Sequence, residues 1–121
     1  MPTATGHTTA IRASRVIGTE VKDRDGNVIG KIEDLILDKT DNAIMFAVVG
    51  FGGVVGIGEK FHPVPWSTLD FDPEFNAYVV PFSSDQLKQA PAESIKELTQ
   101  NDGAGIRQKA YDYYKAEPYW N

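Results

Sequence analysis

Short apolar runs separated by turn-forming residues dominate the sequence from Ser14 to Val80. Glycine, proline and pairs such as Asp-Gly interrupt these runs too often for long helices, and several runs alternate between apolar and polar residues. Such a pattern is typical of β-strands joined by tight turns. About six strands are expected, which favours a small barrel or a sandwich.

Three stretches sharpen this prediction. Asp25-Gly26-Asn27 is a turn sequence and predicts a β-hairpin. The run that follows, 28–37, is long for one straight strand, and its alternation slips around Asp34-Leu35, which predicts a bulge or a strong bend. The run Lys60–Pro65 contains two prolines and is therefore expected at a sheet edge or a strand end.

The chain divides into three parts by its composition. Residues 1–13 are rich in Thr, Ala and Gly without periodicity and are expected to form a flexible tail, followed by a β-domain over 14–82. Residues 83–121 are expected to form a helical extension packed on that domain, with a short helix after Ser83 and further helices over 91–100 and 105–117. The overall class is mainly β, or α+β when the extension is included.

Length and charge limit the functions open to the protein. A chain of 121 residues forms one domain, and a net charge of −5 disfavours binding to nucleic acid or to anionic lipid. The absence of cysteine excludes disulfides and Cys-ligated metal sites. The sequence shows no apolar stretch long enough to span a bilayer, so we expect a soluble, cytoplasmic protein.

The glycine-rich stretch 50–58, GFGGVVGIG, does not fit a phosphate-binding loop. Its glycines miss the dinucleotide spacing, and Glu59-Lys60 and a strand follow where a P-loop requires Gly-Lys-Ser/Thr and a helix. We interpret the stretch as a connection between strands. Its apolar side chains are candidates for contact with a partner: Phe51, Val54, Val55 and Ile57.

No arrangement of residues indicates catalysis, a metal or a cofactor. His7 lies in the expected tail, and His62 has no positioned partner adjacent in sequence. The stretch Asp23–Asn27 resembles the start of a calcium loop, but the required glycine falls on Val28 and flanking helices are not expected. The protein is therefore predicted to be no enzyme, with no catalytic, metal or cofactor residues.

Aromatic residues crowd the C-terminus, and one helix face cannot bury them all. Tyr111, Tyr119 and Trp120 are further candidates for contact with a partner or with a second copy of the chain. The alternative is that this segment simply packs on its own β-domain.

The order and spacing of four elements resemble the PRC-barrel domain family over about Ser14–Phe82. These elements are Ile17-Gly18, Asp25-Gly26-Asn27, Ile29–Asp34 and Val64–Leu69. The residues that stand as structural hallmarks in this comparison are Gly26, Gly30, Asp34, Pro65 and Trp66. The resemblance implies a small β-barrel of about six strands with C-terminal helices.

PRC-barrel domains occur in the H subunit of photosynthetic reaction centres and, more distantly, in ribosome maturation factors. The segment from Val79 to Leu87, with Ala90-Pro91 and Tyr113-Tyr114, is similar to the region that follows the barrel in the H subunits. The present sequence departs from those subunits in having no N-terminal membrane helix. The resemblance implies binding or assembly without catalysis.

The expected function is accordingly a non-enzymatic protein-interaction or assembly module that acts by surface docking. A homodimer or higher homo-oligomer and a peripheral association with a membrane complex are both left open as partners. One alternative is a binder of a small molecule at the barrel end, with the glycine-rich stretch as a lid. A weaker alternative is an accessory role in RNA processing, which the acidic charge disfavours.

Overall fold

The computed structural model describes residues 10–50, 61–94 and 96–120. Within these ranges six strands form one sheet with the order β4-β3-β2-β1-β6-β5, in which only the β1–β6 pair is parallel. The strands are β1 Glu20–Lys22, β2 Val28–Asp38, β3 Ala43–Gly50, β4 His62–Pro65, β5 Asp70–Asp72 and β6 Ala77–Val79. The helices are α1 Ala13–Val16, α2 Ser84–Lys88 and α3 Ala104–Tyr114, with 3-10 turns at Trp66–Thr68 and Glu97–Gly103.

The predicted hairpin between β1 and β2 is confirmed. The carboxylate of Asp23 accepts hydrogen bonds from the backbone N–H groups of Asp25 and Asn27, both at 2.9 Å, and thereby fixes the turn. Gly26 has a φ of 88°, a conformation that favours glycine. These local contacts lower the pKa of Asp23 below its usual value, chiefly through the hydrogen bond from the Asn27 backbone.

Strand β2 is bent at two irregularities, which confirms the irregularity predicted around Asp34-Leu35. The register with β3 shifts between Ile32 and Asp34 and again between Ile36 and Leu37. Asp34 stands between the two shifts, and its Oδ1 accepts the backbone N–H of Leu35 at 2.8 Å. Bulges of this kind bend a strand and increase its twist, so β2 carries much of the curvature of the sheet.

Two apolar clusters lie on opposite faces of the β2–β3 pair. The inner cluster is formed by all strands except β5 and by α1 and α2, and its buried members include Ile32, Val49 and Leu87. The outer cluster joins Phe46 of β3 to Tyr111 of α3. Within the helical extension, α2 contributes Leu87 to the inner cluster, whereas α3 packs on the outer face through Tyr111 and reaches the inner cluster at Tyr114.

The sheet is not closed into a barrel, and this differs from the expected architecture. A mainly β fold with six strands and C-terminal helices is confirmed, but no ladder joins β4 to β5 in the described ranges. Strand β4 has only four residues, of which Pro63 and Pro65 lack an N–H, and β5 has only three residues. The two prolines leave β4 with too few donors for a closing ladder.

The helical extension follows the prediction at α2 and α3 but not between them. Ser83 caps α2 by accepting the N–H of Gln86 at 3.2 Å, as its position predicts. The helix expected over 91–100 is not formed at its start, because the Glu93 backbone exchanges two hydrogen bonds with Phe61 and is held extended. Residues 97–100 belong instead to the 3-10 turn Glu97–Gly103. None of the described helices combines the length and the apolar character that crossing a membrane requires.

Candidate functional site

The two edge strands of the sheet lie next to each other in the sequence. A flat six-stranded sheet would separate β4 from β5 by five strand spacings, or about 24 Å. Only the 3-10 turn Trp66–Thr68 and Leu69 connect Pro65 to Asp70, and a fully extended connection of that length spans at most about 18 Å. The sheet must therefore curl until its two edges approach each other, and we call the opening between β4 and β5 the seam.

Three aromatic side chains lie at the seam. The Trp66 ring centroid is 5.6 Å from that of Tyr78 on β6, and the Phe71 centroid is 5.3 Å from Tyr78 in an edge-to-face arrangement. Tyr78 is buried, and this burial raises the pKa of its hydroxyl above the usual value. Phe71 keeps 37% of its surface exposed, so the aromatic row ends in solvent at β5.

The two strands that border the seam, β4 and β5, differ in the backbone hydrogen-bonding groups available to another chain. Prolines occupy two of the four positions of β4, and the start of that strand is covered by the bridge between Phe61 and Glu93. Strand β5 consists of Asp70, Phe71 and Asp72, contains no proline, and within the described residues pairs with β6 alone. No donor is missing from its outer edge, whereas β4 lacks two.

A second polar and aromatic arrangement is centred on Asp38, at the end of β2. Its Oδ1 accepts the N–H groups of Thr40 and Asp41 in the turn, at 3.0 and 3.2 Å. Its Oδ2 accepts the Tyr119 hydroxyl at 2.7 Å and lies 3.3 Å from the Arg107 guanidinium. These contacts, the Tyr119 hydroxyl first, hold the pKa of Asp38 below its usual value.

Arg107 connects this arrangement to the C-terminal aromatic residues. Its guanidinium carbon lies 4.1 Å from the Trp120 ring centroid, a distance typical of a cation–π contact. Beside it, a groove of about 790 Å³ runs between the β2–β3 turn and α3, lined in part by Leu37, Asp38 and Leu98. Leu37 is 62% exposed, so this groove has an apolar side chain at its mouth.

The C-terminal candidates for partner contact pack within their own chain. Tyr111 is 3% exposed, and its hydroxyl donates to the Met45 carbonyl at 2.9 Å. Tyr119 and Trp120 are half-buried against Tyr111, at centroid distances of 6.0 and 4.7 Å. Tyr111 is therefore buried within the chain, while Tyr119 and Trp120 pack against it and keep part of their surface exposed. The assignment of the three residues as partner contacts stays a prediction.

The four apolar candidates in the glycine-rich stretch, Phe51, Val54, Val55 and Ile57, lie outside the described residues. Their assignment as partner contacts stays a prediction. So does the interpretation of that stretch as a lid over the barrel end.

The five predicted hallmarks occupy structural positions. Gly26 forms the first turn and Asp34 lies between the register shifts of β2, as described above. Gly30 lies so close to β3 that an added Cβ would stand 2.7 Å from the Gly50 carbonyl oxygen. Pro65 is buried opposite Phe46, and Trp66 packs on Tyr78 at the seam.

His62 is buried on β4, with 7% of its surface exposed. Its Nδ1 has no hydrogen-bond partner within the described part of the chain. Burial lowers the pKa of the imidazole, while hydrogen bonding with the backbone of Pro91 and Ala90 opposes that effect. The residue is thus held as a neutral core side chain.

Sequence reasoning missed strand β5 and with it the seam. The strand is followed directly by a turn, in which Asp72 accepts the Glu74 N–H at 2.8 Å. The one available signal was Asp70-Phe71-Asp72 itself, an alternating polar–apolar–polar triplet directly before the turn. Three residues are too few for such a signal to stand out.

Comparison with known proteins gives a match that covers most of the chain. The family model of the PRC-barrel domain matches residues 8–87. This range contains all six strands and all of α2 except its last residue, Lys88. A search of curated proteins found no match.

Proposed function

The chain belongs to the PRC-barrel domain family, and from this premise we propose that it is a non-enzymatic protein-interaction module. It acts by surface docking, and its partners are other proteins or further copies of itself in an assembly. Its place of action is the cytoplasm, where a peripheral contact with a membrane complex fits the same mode of binding.

The observation that carries this proposal is the open seam. An unpaired strand edge beside a partly exposed aromatic ring combines backbone hydrogen-bonding groups with apolar surface that gains from burial. Phe71 provides the ring and β5 the edge. Acidic side chains on the same strand provide a polar rim that selects partners by charge.

The proposal is tested by purifying the tagged full chain from its native host and identifying co-purified proteins. The variant Phe71→Ser removes the exposed ring of the seam, and Leu37→Ser removes a more exposed apolar residue on β2, three strands away from β5 in the sheet order. We expect Phe71→Ser to lose the partner and Leu37→Ser to keep it. Light scattering on the purified unmodified chain and on the two variants reports whether the chain associates with itself.

A chain that is strictly monomeric and recovers no partner contradicts the proposal. Equal loss of a partner in both variants contradicts the assignment of the seam as the docking surface. Both variants replace an exposed side chain, so each is expected to fold.

A second candidate function is the binding of a small molecule. The observation in its favour is the groove of about 790 Å³ beside Asp38, Arg107 and Trp120, which lies within the usual range of ligand pockets. A thermal-shift screen with nucleotides, quinones and divalent metal ions tests it. Stabilisation that disappears in Trp120→Ala supports this function, and no stabilisation by any of these compounds contradicts it.

A further inference from the structure

We propose that β5 binds one extended segment of a partner protein by strand addition, and that this segment carries basic side chains on both sides of an apolar one. The inference rests on the proposed interaction function and deepens it by naming the chemistry of the partner. It is based on three features of β5: an edge that no described strand pairs with, the partly exposed ring of Phe71, and the carboxylates of Asp70 and Asp72 on either side of that ring.

Strand β5 has the backbone groups that strand addition needs. It is the last strand in the sheet order, and no strand in residues 10–50, 61–94 or 96–120 pairs with its outer side. All three of its residues have an N–H and a carbonyl, and because neighbouring residues of an antiparallel strand direct these groups to opposite sides, those of alternate residues face away from β6. In β4, Pro63 and Pro65 lack the N–H altogether. An added strand gains main-chain hydrogen bonds here that β4 cannot provide.

The side chains of β5 specify the pattern of the incoming segment. Phe71 pairs with Tyr78, whose side chain belongs to the inner cluster, so Phe71 lies on the inner face at the seam. By strand alternation Asp70 and Asp72 lie on the other face. A residue placed opposite Phe71 meets an aromatic surface and should be apolar, whereas its two neighbours meet carboxylates and should be Lys or Arg.

The same acids disfavour pairing of β5 with the β5 strand of a second copy of the chain. A three-residue antiparallel ladder between two β5 strands puts Asp70 opposite Asp72 twice, and an in-register parallel ladder puts each acid beside its own copy. Like charges directly opposite each other destabilise a strand pair. The negative charges of β5 thus oppose pairing with a second β5 strand and favour pairing with a strand that carries positive charges.

The test uses two synthetic eight-residue peptides with the full chain at low ionic strength. One peptide alternates Lys and Val, and the other alternates Glu and Val. We expect the Lys/Val peptide to slow amide hydrogen exchange at residues 70–72 and the Glu/Val peptide to leave it unchanged. Added salt should weaken the effect, because the charges that contribute are exposed.

A charge-altered variant identifies the groups responsible. In Asp70→Lys/Asp72→Asn, the Asn oxygen can still accept the turn N–H groups that Asp72 accepts from Glu74 and Phe75. We expect this variant to bind the Lys/Val peptide at least about tenfold more weakly and to prefer the Glu/Val peptide. Asp41→Lys/Glu117→Gln makes the same change in net charge at exposed positions elsewhere and should bind as the unmodified chain does.

Should the double variant lose the amide spectrum of the folded chain, Asp70→Lys alone provides the comparison, since it leaves the Asp72 turn intact. Equal binding of both peptides, equal weakening in both double variants, or binding without protection of residues 70–72 overturns the inference. So does the absence of peptide binding, which would mean that the acids only guard the edge. In each of these cases the proposed interaction function still stands if Phe71→Ser loses a co-purified partner and Leu37→Ser keeps it.

Discussion

The close approach of β2 to β3 at Gly30 gives the sharpest stability prediction. A Cβ at this position would lie 2.7 Å from both the Gly50 carbonyl oxygen and the Val49 Cγ1 atom. Contacts of this kind are ordinary from 3.4 Å outward, so the two strands would have to separate by about 0.7 Å locally. One of the two obstacles is backbone in a paired strand, which cannot turn aside as a flexible side chain can.

The expected cost of Gly30→Ala follows from two opposing contributions. Overpacking a tight interior site costs about 1–3 kcal/mol. Replacing glycine by alanine reduces the conformational entropy of the unfolded chain, which stabilises the folded state by about 0.4–1 kcal/mol. We therefore expect a net loss of roughly 1–2 kcal/mol in the free energy of unfolding, which for a domain of this size lowers the melting temperature by several degrees.

Urea denaturation followed by tryptophan fluorescence measures this change. The matched control is Gly105→Ala in α3, where an added Cβ meets nothing within 4 Å and where alanine is the better helix former. It should stabilise the protein by up to about 1 kcal/mol. A Gly30→Ala variant that is as stable as the unmodified chain would refute the account of Gly30 as a steric requirement.

Three further predictions concern buried polar groups. Tyr111→Phe leaves the Met45 carbonyl without its donor and should lower the free energy of unfolding by about 1–3 kcal/mol. Tyr114→Phe removes a buried hydroxyl that has no partner in the described residues, so in the same urea assay it should be neutral or stabilising. A larger loss of stability in Tyr114→Phe than in Tyr111→Phe would contradict the hydrogen-bond assignment. Because burial raises the pKa of Tyr111 to about 12, its ionisation in a spectrophotometric titration should appear only near that pH. Because the pKa of buried His62 is lowered, the unfolded chain binds the proton more readily than the folded chain as the pH falls. The free energy of unfolding should therefore decrease as the pH drops below about 6.5 towards the folded-state pKa, by at most about 1.4 kcal/mol per pH unit. Thermal melts between pH 7.5 and 5 should show a smaller decline in melting temperature for His62→Phe, and equal declines in the two proteins would exclude His62 as the cause.

Local signals in the sequence were sufficient for the parts of the fold that local contacts determine. The Asp25-Gly26 turn, the irregular β2 strand and the Ser83 cap each depend on residues within a few positions of one another. Proline at positions 63 and 65 likewise indicated an edge strand without knowledge of its neighbours. These features follow from backbone conformation and hydrogen bonding among residues that are close together in the sequence.

The remainder depends on contacts between distant residues. Asp38 binds Arg107 and Tyr119, which are 69 and 81 positions away, so no spacing in the sequence connects them. The extended backbone at Glu93 is imposed by Phe61 and overrides a local helix pattern. The open seam depends on the lengths of β4 and β5, and β5 is too short for a periodic signal.

The short connection from Pro65 to Asp70 also limits how many strands the edge can accept. With its 3-10 turn kept, this connection spans at most about 13 Å. One strand inserted between β5 and β4 needs two spacings, about 9.6 Å, whereas two inserted strands need about 14.4 Å. The connection from Pro65 to Asp70 therefore leaves room for at most one strand between β5 and β4.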